Sequence, residues 1–164
     1  MTLAWQLVLI GLGATLCMDL LAWLQWRLWR LSSLDYRLLA RWLVGLKQGR
    51  LCYERPTALP SVRLEVPLGW LLHYLIGIAW VGLLVLATGT VWLAQPTPGP
   101  ALLACLLSLG APFLLLQPAL GLGLAGCRTP FPWRLRLRSG LAHLVFGLGL
   151  YGTAKVLSLA WLPR

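Results

Sequence analysis

Four long apolar stretches, separated by polar or proline-rich segments, set the pattern of the chain. They cover about residues 3–26, 68–93, 101–126 and 141–162. Roughly 20 helical residues are enough to cross the hydrocarbon core of a bilayer, which is about 30 Å thick. The pattern therefore predicts an all-α integral membrane protein with four transmembrane helices, within one membrane domain that takes up residues 1–164.

The middle of the chain carries no charged side chain. Asp, Glu, Lys and Arg are all absent from residue 66 to residue 127, a run far longer than a buried helix of a soluble protein. It leaves room for two spans, and the segment Gln95–Pro100 between them holds three prolines. Proline lacks the backbone N–H that a helix needs, so this segment predicts a tight turn between the second and third spans.

Composition narrows the class of protein further. The chain of 164 residues is 59% hydrophobic and 11% charged, and its mean hydropathy is +0.78, whereas soluble domains are about a quarter charged. These values exclude a soluble enzyme, a disordered tail and a disulfide-stapled secreted module. The net charge of +10 would indicate nucleic-acid binding in a soluble protein. In a membrane protein it is typical of cytoplasmic loops, and no nucleic-acid partner is expected.

The basic residues predict the orientation. Eight of them lie between the first and second spans and four between the third and fourth, while the segments before the first span and between the second and third have none. The positive-inside rule therefore places both basic loops in the cytoplasm and both termini on the outer side. Tryptophans agree, with three at outer ends and five at inner ends: Trp5, Trp92 and Trp161, and Trp23, Trp26, Trp29, Trp70 and Trp133.

The first span and the cysteines bear on processing and redox state. The first span begins without a basic segment and exceeds the 7–15 residues of a signal-peptide core, so we expect it to remain as a membrane helix. Cys17 and Cys105 lie in spans, and Cys52 and Cys127 lie in predicted cytoplasmic loops. Because CxxC spacing is absent and the cytoplasm is reducing, all four are expected to be free thiols.

The first basic loop contains a predicted amphipathic helix at about residues 33–48. Ser32–Asp35 is a capping sequence, apolar residues then recur at helical spacing, and Gly49 can close the helix. Such a helix lies either in the interface, with its basic side chains towards anionic lipid headgroups, or against the protein's own helices, and the sequence leaves both open. The basic residues predicted to face lipid are Arg37, Arg41, Lys47 and Arg50.

The two halves of the chain resemble each other. The second and fourth spans share one spacing of a histidine and two glycines: His73, Gly77 and Gly82, and His143, Gly147 and Gly152. The first and third spans share a Gly-Ala pair followed by a polar residue, with a slip of one position: Gly13, Ala14 and Asp19, and Gly110, Ala111 and Gln117. We therefore predict a 2+2 parallel internal repeat about an axis along the membrane normal, an arrangement known in transporter folds.

Several short motifs carry a resemblance to a known family. In chain order they are Gly11–Thr15 with Met18–Asp19, Arg41–Trp42 with Gly49–Arg50, Gly69–Trp70 with His73–Gly77, Ala111–Phe113 with Gln117–Pro118, Arg128–Pro130, and His143–Tyr151. Together they resemble the bacterial inner-membrane family catalogued as domain of unknown function 2938, over nearly the whole chain. The resemblance implies the fold and a bacterial inner membrane, in which the outer termini are periplasmic. It implies no activity, because that family has none assigned. A weaker similarity, a two-span pattern with a histidine on each second span, is to the YagU-type inner-membrane proteins associated with acid resistance.

Four polar side chains fall inside the predicted spans: Asp19, His73, Gln117 and His143. An ionisable side chain at the centre of a membrane helix costs about 2.5–3.5 kcal/mol on insertion scales, so it marks a functional site or a buried partner. At 1.5 Å per residue all four lie within roughly 6–13 Å of the cytoplasmic face, where they can form one layer. We predict that Asp19 contacts at least one imidazole, directly or through water, with Gln117 close by. The layer is either a site for substrate and protons or a hydrogen-bonded network that fixes helix packing.

Prolines and glycines in the later spans predict irregular backbone and close packing. Pro112 and Pro118 have no N–H for the carbonyls of Ser108 and Leu114, so each predicts a kink, which serves either packing or the polar layer. Six glycines are predicted to let helices approach closely: Gly121, Gly123, Gly126, Gly147, Gly149 and Gly152.

These features favour a small transporter or channel-like protein, and an oligomer because four short helices enclose little volume. The alternative is a non-catalytic membrane subunit or regulator whose basic loops bind lipid or a partner protein. A third hypothesis is a b-type haem held by His73 and His143, two histidines at equivalent depth, each followed by glycine. Apart from that hypothesis, neither a cofactor nor a metal is expected. The sequence has no Ser/His/Asp constellation and no metal-spaced cluster, so we do not expect an enzyme.

Overall fold

The computed structural model describes residues 2–31 and 35–161, without the side chain of residue 161. This part of the chain contains no strand and has four helices long and apolar enough to cross a membrane, at Leu3–Trp29, Glu65–Thr88, Pro98–Ala119 and Pro132–Ala160. The predicted all-α fold with four candidate spans is confirmed. Large apolar side chains cover the outside of these helices, including Leu86, which is 84% exposed, as a lipid-facing surface requires.

The helical elements follow one another along the described residues. They are α1 (Leu3–Trp29), α2 (Tyr36–Lys47), α3 (Glu65–Thr88), α4 (Val91–Ala94), α5 (Pro98–Ser108), a π-turn (Ala111–Leu116), α6 (Gln117–Ala119) and α7 (Pro132–Trp161), with 3₁₀ turns at Pro56–Ala58 and Leu124–Gly126. The third span consists of α5, the π-turn and α6. Two compact units are distinguished. The first unit is built from described residues within 1–32, 74–108 and 142–164, and the second from those within 33–73 and 109–141.

The first unit is packed through small residues. A Cβ added to Gly11 would lie 2.6 Å from the Cα of Ile78, and one added to Gly149 would lie 2.9 Å from the Cα of Ala14. Both distances are too short for a real Cβ, so α1 meets α3 and α7 almost backbone to backbone. Helices in lipid associate in this way because the surrounding acyl chains are as apolar as leucine, and close packing must supply the attraction.

The six glycines predicted to let helices approach closely have three different outcomes. Gly147 and Gly149 confirm the prediction, whereas Gly152 has open space around it. The other three lie beyond the third span in left-handed backbone, with φ between 69° and 79°: Gly121, Gly123 and Gly126. The prediction was wrong for these three, because they bend the chain out of the helix. For the same reason the third span ends at Ala119 rather than near residue 126.

The second span ends earlier, and the third begins earlier, than predicted. α3 stops at Thr88 because Gly89 takes a φ of 78°. α5 begins at Pro98, since proline at the first helical position needs no partner for an N–H. Trp92, on the one-turn helix between them, is only 4% exposed, and its Nε1 donates to the carbonyl of Thr97 at 3.1 Å. Its assignment to an outer aromatic belt is therefore wrong.

The third span changes register at Pro112. The π-turn Ala111–Leu116 carries one residue more than an α-helix of the same rise, and such turns relieve a ladder that proline has interrupted. Before the turn, buried positions follow the α-helical period: Ala101, Ala104, Cys105 and Ser108. Continuing that period would bury Leu115, but Leu115 is 55% exposed and Leu116 only 9%. The buried face has moved on by one residue.

The fourth span begins nearer the third than predicted. α7 starts at Pro132 rather than near residue 141, so three of the four arginines predicted in a loop belong to its first turns: Arg134, Arg136 and Arg138. A helix N-terminus disfavours positive charge, so the dipole does not account for them. One of them, Arg136, donates through Nε to the carbonyl of Ala125 at 2.9 Å. The second basic cluster therefore begins before the fourth span, at Arg128, and continues in the first turns of that span.

The amphipathic helix α2 begins later than predicted, at Tyr36, with Asp35 as its N-cap. The Asp35 carboxylate accepts from the backbone N–H two residues on at 3.0 Å, so the last residue of the predicted capping sequence is itself the cap. Residues 32–34 of the predicted cap lie outside the described residues. Gly49 follows the C-cap with a φ of 75°, which confirms the predicted C-terminal glycine.

The apolar stripe of α2 is covered by the protein's own chain. Three of its side chains pack on the buried core of the second unit, which consists of Leu59, Leu116 and Leu120: they are Leu38, Leu39 and Trp42. Of the two arrangements that the sequence left open, the structure favours the packed one. Arg37, Lys47 and Arg50 remain exposed.

Candidate functional site

A carboxylate–phenol pair joins α1 to α3 inside the first unit. The hydroxyl of Tyr74 donates to Oδ2 of Asp19 at 2.8 Å, and both side chains are half-buried. The pair exists because the two helices meet one turn away, where a Cβ added to Gly77 would overlap the hydroxyl of Thr15. Asp19 lies one turn after Thr15 on α1, and Tyr74 lies one turn before Gly77 on α3. The carboxylate and the phenol are therefore at the same height.

A hydroxyl–imidazole pair joins α5 to α7 in the same unit. Oγ of Ser108 lies 2.7 Å from Nδ1 of His143 and donates to the carbonyl of Cys105 at 2.7 Å. Ser108 is only 2% exposed. A glycine again sets the approach, because a Cβ added to Gly147 would lie 2.6 Å from Cβ of Cys105, about one turn from the paired side chains.

Asp19 and His143 are identifiable in the sequence as polar residues inside apolar spans, but their partners are not. Tyr74 had a signal, since a tyrosine in an apolar span needs a partner for its hydroxyl. Ser108 had a weaker one, since it continues the helical face of small residues that begins at Ala101. Neither signal identifies which polar residue each partner meets, because that depends on how far one helix has slid along another.

His73 belongs to an aromatic cluster of the second unit. Its ring stacks on Tyr36 at a centroid distance of 4.1 Å and an interplanar angle of 20°, and it meets Trp70 edge-on at 6.2 Å. Gly69 makes this possible, because a Cβ there would overlap the backbone carbonyl of Tyr36. The first turn of α2 thus rests directly on α3, with the imidazole held between two aromatic rings.

Gln117 lies in the second unit and is 5% exposed. Its Oε1 is buried without a hydrogen-bond donor among the described residues, and a Cβ added to Gly126 would lie 3.5 Å from it. An unmatched buried acceptor costs about 1–3 kcal/mol, so this oxygen is suited to a donor that the described residues do not provide.

The predicted site residues therefore fall into two units. Asp19 and His143 lie in the first, while His73 and Gln117 lie in the second. Within the first unit the structure adds Tyr74 and Ser108 as hydrogen-bonding partners. The single layer of four side chains, and the contact of Asp19 with an imidazole, stay predictions.

Two of the basic residues predicted to face lipid form ion pairs. Arg41 binds Glu65 through two hydrogen bonds of 2.7 Å, from Nε and one terminal nitrogen, and these side chains are only 21% and 15% exposed. The hydrogen bond to Glu65 raises the pKa of Arg41 above its ordinary value. Arg37 pairs with Asp35 at 2.8 Å, and both of these side chains are exposed. Arg41 thus has a structural role, linking α2 to the start of α3, that the sequence did not reveal.

The described residues contain no group of three or more His, Cys, Asp and Glu that could hold a metal ion. His73 and His143, proposed from the sequence as haem ligands, lie in different units and have different surroundings, aromatic rings for one and a serine hydroxyl for the other. Haem binding stays a prediction, which the absorption spectrum of the purified protein would test.

One comparison with known proteins identifies the family. A family model described as "Protein of unknown function (DUF2938)" matches residues 8–157. The match covers well over half of the chain, and the chain belongs to this family, as the sequence motifs predicted. Neither a curated protein nor a solved structure matches the chain significantly. The similarity to YagU-type proteins stays a prediction.

Proposed function

We propose that this member of the DUF2938 family is a small transporter or channel-like protein of the bacterial inner membrane that exchanges protons at Asp19 and His143. The observation that carries the proposal is the Asp19 carboxylate, which lies within a candidate span and accepts a hydrogen bond from Tyr74. Ionisable side chains at such positions are costly and usually mark the path of an ion, a proton or a substrate.

The chemistry of the two pairs fits this function. The Tyr74 phenol donates to one carboxylate oxygen of Asp19, and a carboxyl group can gain and lose a proton. His143 contacts Ser108 through Nδ1, and an imidazole can gain and lose a proton. Histidine is the side chain whose unperturbed pKa places its change of charge between about pH 5 and 8. The proposal includes no catalytic step.

An internal repeat would place the two pairs in related halves. Gly77 rests on Gly11 and Thr15, and Gly147 rests on Ala101 and Cys105, so each second helix packs through its glycine on the first helix of its own half. When the first helices of the two halves are aligned on their Gly-Ala pairs, the positions that contact the glycine of the second helix differ by about two helical turns. The halves therefore share the mode of packing but not its register.

Orientation and assembly complete the proposal. Both basic loops are cytoplasmic and both termini periplasmic, because lysine and arginine concentrate in those loops. The protein works as an oligomer, since four helices whose spans are only about a quarter buried enclose little space of their own.

Reconstitution of the full chain into liposomes tests the proposal. With a pH-sensitive dye inside and a pH gradient imposed, small carboxylates, amino acids and organic cations are added in turn. We expect one class to move protons faster than in empty vesicles, and Asp19→Asn to abolish that flux. Asp35→Asn, which alters a carboxylate outside the spans, is the matched control and should leave the flux unchanged. A wild-type protein no faster than empty vesicles for every class, or an unimpaired Asp19→Asn, would overturn the proposal.

One observation favours the alternative function of a lipid-binding subunit or regulator. Lys47 and Arg50 are exposed at the end of α2, where they can meet anionic headgroups. Thermal unfolding in vesicles with and without cardiolipin tests this alternative. Anionic lipid should raise Tm for the wild type, and Lys47→Gln with Arg50→Gln should remove the gain. If the variant keeps the gain, these residues do not bind lipid.

A further inference from the structure

We infer that Ser108 is a positioning residue that holds His143 in the tautomer with its hydrogen on Nδ1, so that protons enter and leave the ring at Nε2. Nothing in the family or the sequence motifs assigns a role to Ser108. The inference follows from counting the hydrogen atoms available to three polar atoms that lie close together.

The three atoms are Oγ of Ser108, Nδ1 of His143 and the carbonyl oxygen of Cys105. The serine oxygen lies 2.7 Å from the ring nitrogen and 2.7 Å from the carbonyl oxygen. A hydroxyl has one hydrogen to donate and two lone pairs with which to accept, and a carbonyl oxygen can only accept. A distance of 2.7 Å between two oxygens is the ordinary length of an O–H···O bond, so the serine hydrogen points to the carbonyl of Cys105.

The ring nitrogen must then be the donor. If Nδ1 carried a lone pair, it would face a lone pair of the serine oxygen at hydrogen-bonding distance, which is repulsive. With a hydrogen on Nδ1, both short contacts become hydrogen bonds: Nδ1–H to Ser108, and Ser108 O–H to Cys105. The tautomer of a histidine is set by the hydrogen bond that its other nitrogen makes, and in neutral His143 the lone pair therefore falls on Nε2.

The arrangement is held by close packing rather than by flexible side chains. Ser108 is 2% exposed and Cys105 is 3% exposed, and Gly147 brings α7 against Cys105. A neutral and a protonated imidazole both carry a hydrogen on Nδ1 in this arrangement. The contact with Ser108 consequently survives a change of charge, and the ring can gain or lose its proton at Nε2 without breaking that bond.

The use of Nε2 in proton exchange rests on the proposed function, but the tautomer does not. A spectroscopic test therefore separates the two. The chain has two histidines, so nitrogen-15 labelling of histidine gives two ring systems, and His73→Gln identifies the signals of His143. Solid-state spectra are recorded on the full chain in liposomes, well above the ordinary imidazole pKa of about 6.5.

We expect the wild-type His143 ring to show a directly bonded hydrogen on Nδ1 and an unprotonated Nε2. Ser108→Ala should lose this signature and give a mixture of tautomers. Ser158→Ala is the matched control: Ser158 is also buried, at 8% exposure, and also donates to a carbonyl three residues back, that of Lys155, at 2.9 Å. This control should leave the His143 spectrum unchanged.

A hydrogen on Nε2 and none on Nδ1 in the wild type would overturn the inference, and so would an unchanged spectrum in a folded Ser108→Ala. The wild-type spectrum decides by itself if Ser108→Ala fails to fold. Should liposomes show no proton flux while His143 keeps its hydrogen on Nδ1, the transport proposal fails and the positioning by Ser108 stands.

Discussion

The phenol of Tyr74 and the carboxylate of Asp19 are joined by a hydrogen bond of 2.8 Å between two helices of the first unit. Tyr74→Phe removes the donor and keeps the ring, so we expect the free energy of unfolding to fall by about 0.6 kcal/mol, the average measured for such bonds between membrane helices, and by about 1.7 kcal/mol at most. Asp19→Asn should cost less than Asp19→Ala, because the amide oxygen can still accept from the phenol. Denaturant-induced unfolding in detergent micelles measures these changes.

A matched control and a double-mutant cycle separate the bond from general packing. Tyr151→Phe changes another tyrosine, one packed against the apolar core of the same unit, and should alter stability less. Tyr74→Phe combined with Asp19→Ala should cost less than the two single changes added together. Additive effects would mean that the two side chains do not stabilise each other.

Gly69 is expected to be intolerant of a methyl group. Gly69→Ala would press a Cβ into the carbonyl of Tyr36, a backbone atom, and overpacking of this kind costs about 1–3 kcal/mol. Gly82→Ala on the same helix meets nothing within 4 Å and should be neutral or stabilising by up to about 1 kcal/mol, because alanine favours helix over glycine. Tm values of the two variants in micelles provide the comparison, and equal Tm values would contradict the close approach at Gly69.

The ion pair of Arg41 and Glu65 should contribute more to thermal stability than that of Arg37 and Asp35. Lysine cannot reproduce the two parallel hydrogen bonds that Arg41 makes, so Arg41→Lys should lower Tm clearly. Arg37→Lys should change Tm little, because its side chain is 51% exposed and exposed pairs contribute little. If the two variants have the same Tm, the two parallel hydrogen bonds of Arg41 do not stabilise the link between α2 and α3.

Labelling of single cysteines tests the orientation. After replacement of the native cysteines, a cysteine is placed at Thr97, Arg50 or Arg136, all of which are exposed. A membrane-impermeant maleimide applied to intact spheroplasts should label position 97 and spare the other two until the membrane is opened. Labelling of position 50 or 136 in intact spheroplasts would reverse the predicted topology.

The pattern of apolar stretches along the chain was sufficient to predict the four candidate spans, because apolar length alone decides whether a helix can cross a bilayer. The ends of the spans were harder. Gly89 and Gly121 end helices through left-handed φ values of 78° and 79°, and a glycine inside an apolar run fits a packing notch equally well. Which of the two a glycine becomes depends on neighbours far away in the sequence.

The candidate site was likewise predictable only in part. Asp19 and His143 were predicted because a titratable group stands out in an apolar helix. Tyr74 and Ser108 become meaningful only when the sliding of one helix along another is known. That sliding is fixed by contacts at Gly77 and Gly147, whose positions suggest close packing but do not say against which residue. Similarly, the sequence predicts that Arg41 faces lipid, and only the structure shows that Arg41 pairs with Glu65.

The π-turn of the third span has a consequence for how the two halves are aligned. Counted from Gly13, Asp19 comes six positions on, whereas Gln117 comes seven positions after Gly110. The turn at Ala111–Leu116 lies between Gly110 and Gln117 and supplies one extra residue, which brings Gln117 to the helical phase that Asp19 holds. For the predicted internal repeat, an alignment of the halves would therefore need a one-residue gap inside this turn, and Asp19 and Gln117 would then occupy equivalent positions.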